Sequence, residues 1–301
     1  MKYVLDFWSF DPMVIVAVAV VVLHEVGLAR LRGRSRIETT RSRRHRSWVF
    51  YSGLGVLVLS IISPVDYFAH EYFFVHVIEH LLIMVVAPVL VVVGAPWTPL
   101  LFGIPVTARR RMVRAVARGS WFAPLRALRR LLARPVVAVV TFNLVMVLWQ
   151  FPVLFDAAES NGMLHIWGMH GSMFLAGVAF WLQIVDSAPF VTRGTVSLRI
   201  GAIVGTNVVM FVLAMALSIF TNHSWYSAYA HVPGVTLSPF ADQQIGAAIL
   251  WICGDFWAAP ALIYVIRRAV EQEGSLSDAV DRIFHRDPSP GLPGATTPPI
   301  V

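Results

Sequence analysis

The chain has 301 residues, of which 57% are hydrophobic and 14% charged, with a formal net charge of +7. That balance excludes an ordinary soluble domain. The single Cys253 excludes an internal disulfide framework and any paired-cysteine metal or redox motif.

A bilayer core about 30 Å thick takes roughly 20 apolar residues per helix. Seven such runs follow one another, at 12–30, 47–66, 75–96, 135–152, 163–185, 200–221 and 244–267. They predict an all-α seven-transmembrane-helix bundle filling residues 1–270. The first run is no secretory signal, because positive charge follows its apolar core instead of preceding it. Residues 271–301 read as a tail. It begins as a short amphipathic helix, SLSDAVDRIF, and ends in a Pro/Gly-rich stretch with nothing to bury, hence disordered.

The basic excess is sorted by loop. Segment 30–46 holds eight arginines and segment 109–134 nine; the other six are Arg193, Arg199, Arg267, Arg268, Arg282 and Arg286. All 23 therefore fall in alternate loops, and the one lysine, Lys2, falls on the other side. The positive-inside rule then puts the N-terminus outside and the C-terminus in the cytoplasm. The charge is a topology signal and implies no nucleic-acid partner. Loop 97–134 interleaves arginine with Trp121, Phe122 and leucines, which reads as a loop that only sets topology or as helices lying on the anionic inner leaflet.

With this topology, seven of the ten histidines gather on the outer side: His70, His76, His80, His165, His170, His223 and His231. His76, His80 and Met84 form one stripe on the third helix, with His80 about 7 Å below its outer end. On the fifth helix His170 and Met173 share a face. His165 and His170, five apart, do not, which places one of them on the turn before the helix. Imidazole with thioether suits copper, methionine favouring Cu(I). Glu79 reads equally as a group that neutralises a metal or orients a histidine and as one that only snorkels outward. His70, His223 and His231 read individually as solvated loop residues. Asp255 lies about 16 Å into the seventh helix and needs a partner there, from Asn143, Asn207, or His24 with Glu25. Pro88 and Pro260 should kink the third and seventh helices.

The stretch HVIEHLLIMVVAPVLVVVGAPWTPLL resembles the signature of the multi-span CtaG proteins, assembly factors of caa3-type cytochrome c oxidase. Their pattern is approximately His-x-x-Gln-His-Leu-Leu, then Ala-Pro and Gly-Ala-Pro. HGSMFLAGVAFW and SPFADQQIGAAILWICGD are similar to the family's later motifs, and the resemblance covers about residues 47–268. The motif positions it carries over are His76, His80, His170, Asp242 and Gln243. Glu79 stands where glutamine is commoner, and Ser172 where a second histidine is expected, so His165 or Met173 would replace that ligand. His24 and Glu25 are outside the pattern.

The resemblance implies a multi-pass protein of the bacterial cytoplasmic membrane that matures a haem-copper oxidase by handling copper. Its partner would be oxidase subunit I or II. The expected site comprises His76, His80, Met84, His165, His170 and Met173 as copper ligands, with Glu79, Asp242, Gln243 and Asp255 as supporting or path residues. Three other classes compete. A haem-binding redox protein would show a Soret band, a copper transporter would give metal flux in vesicles, and a metal-free scaffold would tolerate loss of His76 and His80. No nucleophile, base and orienter can be assembled, so no catalysis is expected.

Overall fold

The computed structural model describes residues 7–32, 37–192, 194–230 and 232–273. The expected tail helix and disordered end, and His231, lie outside the described residues. Among the described residues the fold is helical, with no β-strand. In order come α1 (Met13–Arg32), α2 (Ile37–Ile62), α3 (Pro64–Ala69) and α4 (Phe73–Leu81), which runs through a π-helical turn (Leu82–Val86) into α5 (Ala87–Gly94). Next are α6 (Trp97–Gly103), α7 (Val106–Arg118), α8 (Ala123–Leu132), α9 (Pro135–Leu148) and α10 (Pro152–Glu159). A second π-helical turn (Leu164–His170) leads into α11 (Gly171–Ile184), followed by α12 (Val196–Ser218) and α13 (Pro239–Glu273).

Five helices among the described residues are long and apolar enough to cross a bilayer: Met13–Arg32, Arg43–Ile62, Phe73–Gly94, Val196–Ser218 and Pro239–Glu271. A sixth is counted if α8 and α9, bent by 99° to each other, form one span. The expected seven differ for two physical reasons. Helix α9 has 14 residues, about 21 Å of rise against a core of about 30 Å. The expected fifth span is continuous helix from the second π turn through α11, but its two histidines and Gln183 dilute its apolarity.

Exposed stripes at i, i+4 spacing mark surfaces suited to hydrocarbon: Val136, Val140, Leu144 and Leu148 on α9, and Val204, Val208 and Val212 on α12. Helices α7 and α8 bury no residue at all. The Arg126 guanidinium closes the turn between them by donating to the carbonyls of Val116 and Gly119. Their arginine-rich, leucine-faced composition fits helices lying along a bilayer surface.

The helices that carry the histidine pairs are held together at one close crossing. Pro88 has no N–H to offer the Met84 carbonyl one turn back. That carbonyl lies where Gly177 of α11 comes closest, 2.2 Å from the position a Cβ would occupy. Only glycine lets α11 ride on the π turn at this distance. Around the crossing, Phe142 stacks on Phe180 at 4.5 Å and Trp181 meets Trp257 edge to face.

Candidate metal centre

Helix α2 carries Arg43, Arg44 and Arg46 near its start and ends at Ile62, so the chain reaches α4 at the opposite end of the bundle. Four N–H groups open every helix without an internal partner. Tyr72, the residue before α4, provides no side-chain cap. Asp242 of α13 supplies it from across the fold: its carboxylate accepts from the Phe73 N–H at 2.8 Å and the Phe74 N–H at 2.9 Å. A carboxylate there also meets the positive end of the helix dipole.

One turn along α4, His76 and His80 bring their Nε2 atoms to 2.7 Å, with 0% and 6% of the residues exposed. His165 and His170 form a second pair, Nε2 to Nε2 at 3.0 Å. The expectation that residues five apart cannot share a face assumed α-helical geometry. Here both lie in the π-helical turn Leu164–His170, whose i→i+5 bonding restores the shared face. The pairs confront each other. The His76 ring stacks 5.5 Å from that of His165, and the His80 ring stands 5.6 Å from that of His170.

Glu79 is fully buried, its Oε1 3.7 Å from His170 Nε2, and neither carboxylate oxygen has a hydrogen-bond partner. One ligating atom from each of His76, Glu79, His165 and His170 falls within 4.8 Å of the others. An unpaired buried carboxylate is costly, by several kcal/mol at least, unless a cation or proton compensates it.

The network fixes one tautomer. The Tyr229 hydroxyl donates its single proton to the Ala69 carbonyl at 2.8 Å, so its contact with His76 Nδ1 at 3.0 Å requires the imidazole to donate. The lone pair of His76 is thereby left on Nε2, facing His80. Tyr229 is itself held by a braced loop. Asp156 accepts from the Ser227 hydroxyl at 2.7 Å and from the Ser227 and Ala228 N–H groups. The Tyr226 hydroxyl donates to Gln150 Oε1 at 2.8 Å. Gln243 joins loop to helix, accepting from the Trp225 N–H at 2.7 Å and donating to the Leu217 carbonyl at 2.8 Å.

Glu159, at the end of α10, sets Oε1 3.5 Å from the Nδ1 atoms of both His76 and His165. Burial pushes its carboxyl up to about 7, against the pull of His70 and with the push of Asp66 and Asp156. Sequence reasoning missed Glu159 and Tyr229 and left His70 as a solvated loop residue. His70 is indeed exposed, yet its ring stands 5.3 Å from that of His165.

The structure places the remaining expected residues elsewhere. Met84 and Met173 are buried in the apolar core, and the π turn beginning at Leu82 takes Met84 off the strict i, i+4 stripe of His76 and His80. Asp255 accepts from Asn207 at 2.9 Å and lies on the exposed face of α13. His24 bonds the Tyr51 hydroxyl, which donates to Glu25. His223 is exposed beside Asn222.

Residues 22–272 match the family described as cytochrome c oxidase caa3 assembly factor, Caa3_CtaG. The chain belongs to this family. With its several apolar spans, this CtaG-family chain is a multi-pass protein of the bacterial cytoplasmic membrane. Similar curated proteins include uncharacterized proteins of Mycobacterium bovis and Mycobacterium tuberculosis, each 26% identical over 292 residues. These alignments cover 93% of this chain and 42% of each relative, so the chain spans less than half the length of the curated relatives it matches. No solved structure matches it. Of the CtaG motif residues, His76, His80 and His170 lie in the buried cluster, while Asp242 and Gln243 brace it. Ser172 accepts a bond from the Trp149 indole at 2.9 Å, and it is His165 that stands beside His170.

Proposed function

We propose that this CtaG-family protein is a non-catalytic membrane metallochaperone with seven spans and an outer N-terminus. It takes copper as Cu(I) at its outer face and passes it to subunit I or II of a haem-copper cytochrome c oxidase. The observation that carries this reading is the buried set of two Nε2-to-Nε2 histidine pairs enclosing an unpartnered carboxylate. A cation there would satisfy Glu79 and the facing lone pairs together.

Imidazole donors suit copper, zinc, iron and nickel alike. Copper is favoured by the family's cytochrome c oxidase client. At metal–nitrogen bonds of about 2.0–2.1 Å a tetrahedral ion needs donors about 3.3 Å apart. Both pairs are closer than that, at 2.7 and 3.0 Å, so they spread on loading. A site that must open slightly suits a carrier that releases its cargo. Haem fits poorly, because paired imidazoles at these distances leave no gap for a porphyrin plane.

The test is a titration of the detergent-solubilised protein with Cu(I) against a chromogenic competitor, comparing wild type with His80→Ala. Stoichiometric binding that the variant loses is the expected result. Equal binding by both proteins, or none by either, overturns the site.

A further inference from the structure

We propose that His70, Glu159 and His165 form a second, outer metal site through which the ion reaches and leaves the buried cluster. The inference rests on the copper-carrier reading above and adds its route of loading.

The three residues each offer a ligating atom within 4.8 Å of the others, and they step from exposed His70 through half-buried Glu159 to buried His165. His70 borders a cavity of about 390 Å³ that also exposes Asp66 and Glu71 beside Phe7, Trp8 and Tyr67. Two carboxylates at the mouth concentrate cations there. His70 is set for ligation, since its Nδ1 faces the Asp66 carbonyl at 2.9 Å and can only donate to it. The Nε2 lone pair of His70 is left for an ion. Glu159 Oε1 is buried with no hydrogen-bond partner.

His165 joins the two sites because its nitrogens face opposite ways. Nδ1 points to Glu159 at 3.5 Å, and Nε2 points to His170 at 3.0 Å. A neutral imidazole has one lone pair in its ring plane and one N–H, so it serves one site at a time. An ion on the outer site takes the Nδ1 lone pair, with the N–H directed to His170. When the ion moves inward the ring proton passes to the Nδ1 side, where Glu159 accepts its hydrogen bond. The sites are therefore used in turn, and one ion is held at equilibrium.

A passage site speeds loading and unloading by the same factor and leaves the equilibrium unchanged. The experiment follows Cu(I) transfer by stopped flow, from a coloured chelator onto the full-length protein in detergent and back to a stronger chelator, for wild type and His70→Ala. His70 is exposed, so its replacement removes no core packing. The expected result is one copper per protein in both, equal affinity, and loading and stripping each slowed about tenfold or more in the variant. Unchanged rates, or a loss of affinity that slows only loading, overturn the outer site while leaving the buried one standing. Two coppers per wild-type protein also overturn it, because the shared imidazole forbids that. If wild type retains no copper, the carrier reading itself falls and this route falls with it.

Discussion

Asp242 Oδ2 receives the Phe73 N–H at 2.8 Å, joining residues 169 positions apart. The last long helix thus caps the helix that carries His76 and His80, and the family's Asp-Gln motif is a brace for that helix. Asp242→Ala should lower the unfolding free energy by about 1–2 kcal/mol, the usual worth of an N-cap. Asp242→Asn, which keeps an acceptor, should lose less. Denaturation of the purified variants checks this, and stability equal to wild type in the alanine variant contradicts it.

Tyr229 holds the His76 tautomer from outside the cluster. Tyr229→Phe keeps the ring beside Phe73 and Phe155 but removes the acceptor for the His76 N–H. Loss of such an orienting partner typically weakens metal binding by about 10–100-fold. The competition titration should show that loss with the fold retained. An unchanged copper affinity would show that the tautomer is set by something else.

Glu79 pulls stability and binding in opposite directions. Glu79→Gln keeps the shape and removes a buried carboxylate that has no hydrogen-bond partner. The metal-free variant should melt higher than wild type and bind copper more weakly. A lower melting temperature without metal contradicts the account of Glu79 as an unpaired charge.

Gly177→Ala tests the crossing of α11 over the π turn. The added methyl would meet the Met84 carbonyl at 2.2 Å, which the backbone can relieve only by separating the histidine-bearing helices. Overpacking of this kind typically costs about 1–3 kcal/mol. Copper affinity should fall along with the melting temperature, and a drop in stability alone would separate the crossing from the site.

The sequence made some of this site legible and hid the rest for definite reasons. His76 and His80 could be paired in advance because four residues make one α-helical turn and α4 is regular there. His165 and His170 could not, because their pairing needs a π turn that no hydropathy pattern announces. Glu159 and Tyr229 reach the cluster by contacts across 6 to 153 positions of sequence, through loops whose path composition does not encode. Asp255 was legible as a polar group in an apolar run and Asn207 as one of its candidate partners, but not its outward face. Apolar length predicts seven spans, and five or six of them pass by helix length and composition, the others being short or diluted by the histidines themselves.

The π turn at Leu164–His170 has a consequence for how this centre can be inherited. Each residue of an α-helix advances about 100° around its axis. Deleting one residue between His165 and His170, such as Gly168, would let the turn relax to α-helical form and leave both histidines in the sequence. The two histidines would then stand four apart in regular α-helix and still share a face, as His76 and His80 do. A descendant that kept the five-residue spacing but lost the π turn would instead hold them about 140° apart around the axis. The residue count between the two histidines and the helical form that joins them must therefore change together.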